Sequence, residues 1–455
     1  MFKFYVAFYI AKFSKIALKL LGRNASCLPG KIAINIYLNF LEKVNKPKTI
    51  IGVTGTNGKT TVCNLLVETL ENCNYKVLNN KLGSNINSGV ATALLNGCNL
   101  FNKSKYEIAV LEIDERSSLK LYPYITPTYL ICTNLFRDSI KRNAHSEFIF
   151  NIINKNLPKE TKLILNADDL ISSQLGNGNE KIFFGIDKME TDLDKPLNIV
   201  NDMVICPKCY TELQYDYVRY FHIGKAYCPN CDFKSEIANY SINKIDYTNN
   251  KISIVHNNDE TEYKMISNSI FNIYNMLAAI TLLSEFGIKK EKIQETFEKQ
   301  KIVGSRYNKE NVNGIKITSL LAKGQNPIAC SCVFDYIRKE AGSKEVLMLL
   351  YDYFDAKEST ENITWLYDCD FEFLNDNSIE KIIIAGPRAE DFYLRLLIAD
   401  VPKEKIIYTE DINDSINNLS LKEEKDIYIL YDVYTKFIAE GLKKQIKELI
   451  IRGDE

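Results

Sequence analysis

The chain has 455 residues, of which 46% are hydrophobic and 25% charged, and its formal net charge is −1. Its length allows about two to four domains, and its composition is that of a globular protein with enough apolar residues for full cores. The near-neutral balance excludes a global basic field for nucleic acid and an acidic solvating tail.

Residues 1–21, rich in Phe, Tyr and Lys, imitate a targeting signal. Their apolar run, 4–11, is only eight residues long, and Lys12, Lys15 and Lys19 break up the stretch after it. That is too short and too charged for a membrane span, and no small-residue cleavage site ends it. The pattern predicts an amphipathic helix packed on the next domain, with contact to a membrane surface as the alternative. The expected location is the cytoplasm, the inner face of the membrane being the alternative.

The next informative stretch is Gly52–Thr61. A short apolar run, Thr49-Ile50-Ile51, precedes it, and Val62–Val67 comes after it. The order is strand, Gly-rich turn, helix. Such a turn aims backbone N–H groups and a helix N-terminus at one spot, which suits nucleotide phosphates. Gly55, Thr56, Asn57, Gly58, Lys59, Thr60 and Thr61 are the candidate binding residues. Lys59 would reach the terminal phosphates and Thr60 would sit on Mg²⁺. Val53 stands where the general phosphate-loop spacing has its first glycine, and Gly52 lies one residue earlier.

From residue 47 to about 300, apolar runs alternate with helical patterns. Val77-Leu78, 108–113, 129–133 and 163–165 read as strands and 62–71 as a helix, which predicts βαβ units around a parallel sheet. Three of these runs end in polar groups: Glu112 to Glu115, Thr133 to Asp138, and Asn166 to Asp169. Polar residues at the carboxyl ends of strands sit in the crevice where α/β sheets bind ligands. Glu112 is the candidate for holding Mg²⁺ against the phosphates. A composition break at about 200–265, rich in Tyr, Asn and Cys, reads as a small β-rich insertion, and helical text returns at 274–286. A second α/β region begins near 308. Its strand-like runs are 346–351, 381–385 and 426–431, with helical patterns at about 326–341, 388–400 and 434–451.

Cys206-Pro207-Lys208-Cys209 and Cys228-Pro229-Asn230-Cys231 form two Cys-x-x-Cys pairs with eighteen residues between them. This spacing matches a tetrahedral four-thiolate zinc site. Four thiolates leave no open position, so the zinc would be structural. The other eight of the 12 cysteines are scattered, several in apolar runs, as free thiols in a reducing compartment would be. Cys330 and Cys332 read as small apolar fillers on a helix. With three histidines in the chain, His145, His222 and His256, a chemistry built on a His base has few candidates. Phosphate activation by Mg²⁺ and Lys needs none.

Thr54–Thr61, 111–115 and Asn272-Ile273-Tyr274-Asn275 followed by Ala278-Ala279 resemble the central domain of the Mur ligase family. More closely, the chain resembles that family's MurT branch, the subunits of lipid II isoglutaminyl synthases. The marks are Thr133–Asp138, Asn166–Asp169, the four-Cys ribbon, and Leu28-Pro29-Gly30 as a Pro-Gly turn. The likeness continues through 381–399 and 427–442. It implies an α/β fold: an N-terminal helical lead-in (1–46), a Mur-ligase-like P-loop ATPase domain (47–303) with a zinc ribbon inserted at about 202–236, and a smaller Rossmann-like α/β domain (304–455). It also implies a reaction. ATP phosphorylates the α-carboxyl of the D-glutamate in the lipid II stem peptide, and ammonia from a GatD-type glutaminase subunit turns the acyl phosphate into the amide of D-isoglutamine. By position, Lys59 and Thr60 would bind phosphate and Mg²⁺, and Glu112 Mg²⁺. Asn272, Asn275 and Arg306 would lie near the nucleotide.

The family's C-terminal domain carries an Asp that completes the partner's Cys–His pair. Here it falls at Asp355, with Asp352 as the alternative; an ungapped alignment on Trp365 puts Ser359 there. The sequence departs from the family at Asp355-Ala356, at Lys323-Gly324-Gln325-Asn326-Pro327 and at Ser139. The departures weigh on coupling to the glutaminase more than on use of ATP. Alternative readings are a Mur-type or folylpolyglutamate-type ligase that adds an amino acid, and a MurT-like scaffold that binds nucleotide without turnover. Nucleic acid is not an expected partner.

Overall fold

The structure, a computed structural model, describes residues 1–23, 25–81, 84–137, 145–299, 307–322, 326–349, 363–386, 388–422, 424–432 and 435–452. Its contacts divide the chain into two compact units. One comprises Met1–Phe136, Ser146–Pro196 and Asp202–Lys301, and the other takes in the rest.

The first unit opens with three helices, α1 (Phe2–Leu20), α2 (Leu28–Ile36) and α3 (Phe40–Lys43). It continues with β1 (Thr49–Thr54), α4 (Lys59–Asn72), β2 (Val77–Asn79), α5 (Asn87–Gly97), β3 (Ile108–Glu112), α6 (Ser118–Leu121), β4 (Tyr129–Cys132), α7 (Ser146–Lys155), β5 (Lys162–Asn166) and β6 (Lys181–Ile186). A two-stranded hairpin, β7 (Gln214–Tyr220) and β8 (Ile223–Tyr227), comes next. The unit ends with β9 (Tyr240–Asp246), β10 (Lys251–His256), β11 (Asp259–Lys264), α8 (Ile270–Glu285) and α9 (Lys290–Lys299).

Nine of these strands form one sheet in the order β11-β10-β9-β6-β5-β4-β1-β3-β2. Pairing is parallel from β2 across to β9, and β10 and β11 run antiparallel at the edge. The runs in β1, β3, β4 and β5 are apolar almost throughout because helices cover both faces. Ile51, Val53, Ala109, Val110, Leu130, Ile131, Leu163 and Ile164 are all fully buried. The composition break at 200–265 is thus two things. Only its first half leaves the sheet; Tyr240–Lys264 is the sheet's own edge. The alternating pattern at Lys251–Val255 marks a strand that is covered on one face, which periodicity does not distinguish from a separate β insertion.

Phe4, Ala7, Phe8 and Ala11 bury one face of α1 with α2 and α5, and Phe4 stacks on Phe40 with ring centres 5.4 Å apart. Leu28-Pro29-Gly30 is not a turn. It is the first turn of α2, where proline's missing N–H costs nothing. Gly30 lies flat on α5: its N–H donates to Thr92 Oγ1 at 2.8 Å. A Cβ there would overlap the Ser88 carbonyl oxygen and approach the Thr92 nitrogen to 2.7 Å. The glycine is required by close helix approach.

In the second unit β12 (Tyr307–Val312), β13 (Ile315–Leu321), α10 (Pro327–Lys339), β14 (Ser343–Leu349), β15 (Ile379–Ala385), α11 (Ala389–Ile398), β16 (Ile406–Thr409), β17 (Lys425–Tyr431) and α12 (Lys436–Arg452) build a six-stranded sheet. Its order is β12-β13-β17-β14-β15-β16, parallel except for β12. Residues of α10 and α11 pack on one face and residues of α12 on the other. Asn326 caps α10 through its Oδ1, which accepts from Ala329 N–H at 2.9 Å. Cys330 and Cys332 both lie on α10.

Gly30→Ala is expected to lower stability by about 1–3 kcal/mol, the usual cost of forcing atoms into a closed contact. Urea unfolding followed by circular dichroism measures it as a lower midpoint.

Candidate active site

In the first sheet the chain leaves β1 for β2 and β3 on one side, then crosses to β4, β5 and β6 on the other. The carboxyl end of β1 is therefore a topological switch point, where α/β sheets open a crevice. Register aligns the neighbouring strand ends with it: Val53 lies opposite Glu112, and Thr54 opposite Cys132. All three polar strand ends noted in the sequence thus belong to neighbouring strands of one sheet.

The turn 55–58 closes that crevice. Gly58 has φ +90°, a left-handed conformation, and a Cβ on it would overlap Asn275 Oδ1 and stand 3.0 Å from Asn275 Nδ2. The glycine therefore lets the turn and the start of α8 approach. Asn272 lies one turn earlier on α8 and accepts from Asn275 Nδ2 at 3.4 Å. Helix α4 then begins, and its first intrahelical bond runs from Val62 N–H to the Gly58 carbonyl at 3.0 Å. The N–H groups of Lys59, Thr60 and Thr61 lie ahead of that ladder, so their donors converge at a positive helix end. Val53, at the place of the usual first glycine, is buried inside β1. The strand simply runs one residue further.

The turn is held by the strand next door. Asn134 Oδ1 accepts from Asn57 N–H at 3.0 Å and its carbonyl from Thr56 N–H at 2.9 Å. Thr133 Oγ1 and Asn134 Nδ2 donate to the Asn57 carbonyl at 2.6 and 3.1 Å. Phe136 N–H donates to Thr56 Oγ1 at 2.9 Å, and that hydroxyl donates to the Phe136 carbonyl at 3.1 Å.

Lys59 Nζ donates to Glu115 at 2.6 Å and also to the Gly55 carbonyl. Burial alone would lower its pKa. The carboxylates of Glu115, Glu112 and Asp114 outweigh burial and raise it, so the side chain is held as a cation. Glu115 is pushed upward by its own burial, against the pull of Lys59. Thr60 Oγ1 donates to Glu112 at 2.9 Å, and the other Glu112 oxygen accepts from Asn85 Nδ2 at 3.2 Å. A hydroxyl and a carboxylate in contact beside an array of N–H donors are a hard-oxygen donor set of the kind Mg²⁺ uses with phosphates.

Behind the Thr133–Phe136 segment lie Asp168 and Asp169, both fully buried. Asp169 Oδ2 accepts from Leu135 N–H at 2.7 Å, and Oδ1 meets His222 Nε2 at 3.1 Å. Burial raises the Asp169 pKa, but the bonds from His222, Ser172 and the Ile171 N–H prevail and hold it below the ordinary aspartate value. Asp168 accepts from Ile186 N–H at 2.8 Å and Tyr274 Oη at 2.6 Å, and it pairs with Lys225 at 3.0 Å and Arg219 at 3.3 Å. Arg219 also pairs with Asp192 at 2.7 Å. His222, Arg219 and Lys225 all belong to the β7–β8 hairpin. One buried chain thus runs from hairpin to Asp169 to Leu135 to the phosphate-type turn.

The same hairpin carries the cysteine cluster at its base. Cys206, Cys209, Cys228 and Cys231 bring four sulfurs within 4.8 Å of one another. Cys206 and Cys231 stand 3.6 Å apart, and Cys209 and Cys228 3.3 Å. A tetrahedral zinc with Zn–S of about 2.3 Å needs sulfurs about 3.8 Å apart. In each knuckle a backbone N–H points at the first thiol: Lys208 N–H to Cys206 and Asn230 N–H to Cys228, both at 3.4 Å. Those donors suit thiolates, so the four residues fit the ion.

The structure brings Gly55–Thr61, Glu112 and Asn275 to one crevice, with Asn272 a turn away. Arg306, Asp355, Asp352, Ser359, Asp138, Ser139 and Lys323–Gln325 lie outside the described residues. Sequence reasoning singled out neither Glu115 as the partner of Lys59 nor His222 as a brace. The acidic run 112–115 contained the first signal; nothing in the local pattern marked the second.

Three comparisons bear on this arrangement. Residues 53–206 match the Mur ligase middle domain, and residues 323–437 match the MurT ligase C-terminal domain. The chain is 33% identical to the lipid II isoglutaminyl synthase (glutamine-hydrolyzing) subunit MurT of Staphylococcus aureus (strain COL), over 90% of each chain. Among solved structures it is similar to a pseudomurein peptide ligase type C from Methanothermus fervidus: TM-score 0.67, 21% identity, 89% of this chain and 79% of that one. It is also similar to MurF ligase from Thermotoga maritima in complex with ADP: TM-score 0.62, 14% identity, 92% and 84% covered. At these identities the structural likeness is one of fold.

His222→Ala is expected to cost about 2 kcal/mol, because it leaves a buried carboxylate short of a donor. It is also expected to weaken ADP binding several-fold, read by titration calorimetry. A second outcome concerns acid. The lowered Asp169 pKa supplies stability that is present above the unfolded aspartate value of about 3.9 and is lost as the pH falls through the folded value. Asp169→Asn, less stable at neutral pH, is expected to show a shallower fall of Tm between about pH 5 and 3 than the parent chain.

Proposed function

The chain belongs to the MurT family of Mur-ligase-like proteins, and from that premise we propose that it is the ATP-dependent synthetase subunit of a lipid II isoglutaminyl synthase. The reaction is amidation of the D-glutamate α-carboxyl in the stem peptide of lipid II. The carboxylate oxygen attacks the γ-phosphorus of ATP, giving an acyl phosphate and ADP. Ammonia then attacks the acyl carbon, phosphate leaves, and a proton is lost to give the amide of D-isoglutamine. A GatD-type glutaminase subunit releases the ammonia from glutamine. Asp355 of the C-terminal unit is the residue we assign to complete that partner's Cys–His pair.

The observation that carries this reading is the crevice at the end of β1. Lys59, held cationic, leaves its pair with Glu115 for the phosphates, and the N–H groups of Lys59, Thr60 and Thr61 hold the same oxygens. Thr60 and Glu112, already in contact, are the residues that would hold Mg²⁺. That ion, when bound, neutralises charge on the transferring phosphate. Asn272 and Asn275 lie on the nucleotide's side, and Arg306 is assigned to the nucleotide by the family pattern alone. His222, among the residues around the crevice, is fully committed to Asp169 and buried. The chemistry proposed requires no histidine base. The four cysteines hold a structural zinc that keeps the β7–β8 hairpin folded.

A ligase that adds an amino acid is the second reading, since the middle domain alone is common to both. The match of residues 323–437 to the MurT C-terminal domain favours the amidating one.

Purified chain, with and without a GatD-type glutaminase, is supplied with lipid II, ATP and either ammonium or glutamine. Amide formation with ammonium alone is expected, and glutamine should serve only with the partner. ADP release that depends on an added amino acid would support the second reading; nucleotide binding without turnover would leave a scaffold. Lys59→Ala is expected to lower kcat by about 100-fold or more. Folded protein is expected to contain one zinc per chain by metal analysis, and its removal by a strong chelator should lower Tm.

A further inference from the structure

Helix α1 has two apolar stripes, and the fold uses one. Phe4, Ala7, Phe8 and Ala11 face the protein. At 100° per residue the opposite side of the helix carries Phe2, Tyr9, Phe13, Ile16 and Leu20, again at helical spacing. These side chains are in solvent: Phe2 is 83% exposed, Phe13 68%, Ile16 54% and Leu20 84%. Helices of globular proteins normally place polar residues there, so a second stripe is a surface awaiting a partner. The patch continues off the helix. Tyr9 Oη donates to the Leu100 carbonyl at 3.1 Å, which sets exposed Leu100 and Phe101 beside the stripe.

The charge around it identifies the partner. Residues 1–41 contain Lys3, Lys12, Lys15, Lys19, Arg23 and Lys31 and no acidic residue, while the remaining residues carry a net −7. Lys15 and Lys19 flank the exposed stripe along one side, while the Lys12 ammonium turns inward and donates to the Cys98 carbonyl at 2.7 Å. Among the described residues none of these six cations forms an ion pair. Lys105 crowds Lys12 and Lys15, and burial together with these like charges lowers both lysines' pKa values. Crowded, unpaired cations rimming an apolar stripe fit a surface that is anionic outside and apolar beneath. The Lys15 and Lys19 stems lie along the apolar boundary while their ammonium groups reach the headgroups. Among the described residues no helix is long and apolar enough to cross a membrane, so the contact is an in-plane one.

We propose that α1, with Leu100 and Phe101, docks this protein on the surface of an anionic lipid bilayer. The docking is independent of the catalytic reading, because it needs neither nucleotide nor the lipid-linked substrate.

The full chain, alone and with a GatD-type glutaminase, is sedimented with vesicles of phosphatidylcholine and with vesicles that also contain about 30 mol% phosphatidylglycerol. Binding to the anionic vesicles is expected, with loss as salt rises. Phe13→Glu/Leu20→Glu is expected to weaken it about 10-fold or more, and Lys15→Glu/Lys19→Glu likewise, while ADP affinity is unchanged in both. Three results overturn the proposal. One is no binding to either vesicle. Another is a dimer at working concentration, dispersed by Phe13→Glu/Leu20→Glu, in place of vesicle binding; the stripe would then be a contact between copies. The last is loss of vesicle binding when the glutaminase is added, which would make it a subunit interface.

Discussion

The hydrogen bonds between residues 56–57 and residues 133–136 are what the active crevice depends on. A glycine-rich turn has little conformational preference of its own. Here its backbone is fixed by the segment that leaves the adjacent parallel strand. Asn134 does most of this, since its side chain contacts both the N–H and the carbonyl of Asn57 and its own carbonyl takes the Thr56 N–H. The turn is therefore shaped by the protein itself, and a phosphate bound there would require little further ordering.

That segment is itself braced from behind. Asp169 holds the Leu135 N–H, and His222 holds Asp169. Asp168 next door collects Tyr274, Arg219 and Lys225. Removing a charged partner of Asp168 would leave an uncompensated buried charge, which typically costs about 3–5 kcal/mol. The inserted hairpin is thereby more than an appendage. The cysteine cluster closes its base, and its tip enters the core of the nucleotide-type sheet. A change at the knuckles would be felt at the turn through a short series of hydrogen bonds.

Lys59 illustrates how a site stores a cation without a ligand. Three carboxylates surround it, and Glu115 holds it at 2.6 Å. Were phosphate oxygens to replace Glu115, as proposed, the lysine would exchange one anion for another with no change of charge. Glu112, half-buried and already touching Thr60, remains free to act on the opposite side.

Local chemistry was legible in the sequence because it is written within a few residues. The strand–turn–helix at 49–72, the knuckles at 206–209 and 228–231, and the apolar runs of both sheets depend on backbone geometry and on side-chain types at fixed spacing. Periodicity even indicated that three polar strand ends share a sheet. It did not separate Tyr240–Lys264 from the hairpin before it, because both are short, half-covered strands. Nor did it read Pro29-Gly30 as a helix start, because the need for glycine there comes from α5, more than fifty residues on. What the tertiary structure alone decided are the partners: Glu115 for Lys59, Asn134 for Asn57, His222 for Asp169, Asn275 against Gly58, and solvent for the second stripe of α1. Each is a pairing of side chains far apart in sequence, fixed by which strands are neighbours and which helix faces are covered. No local pattern encodes that choice, since the same residues would have the same propensities with any other partner.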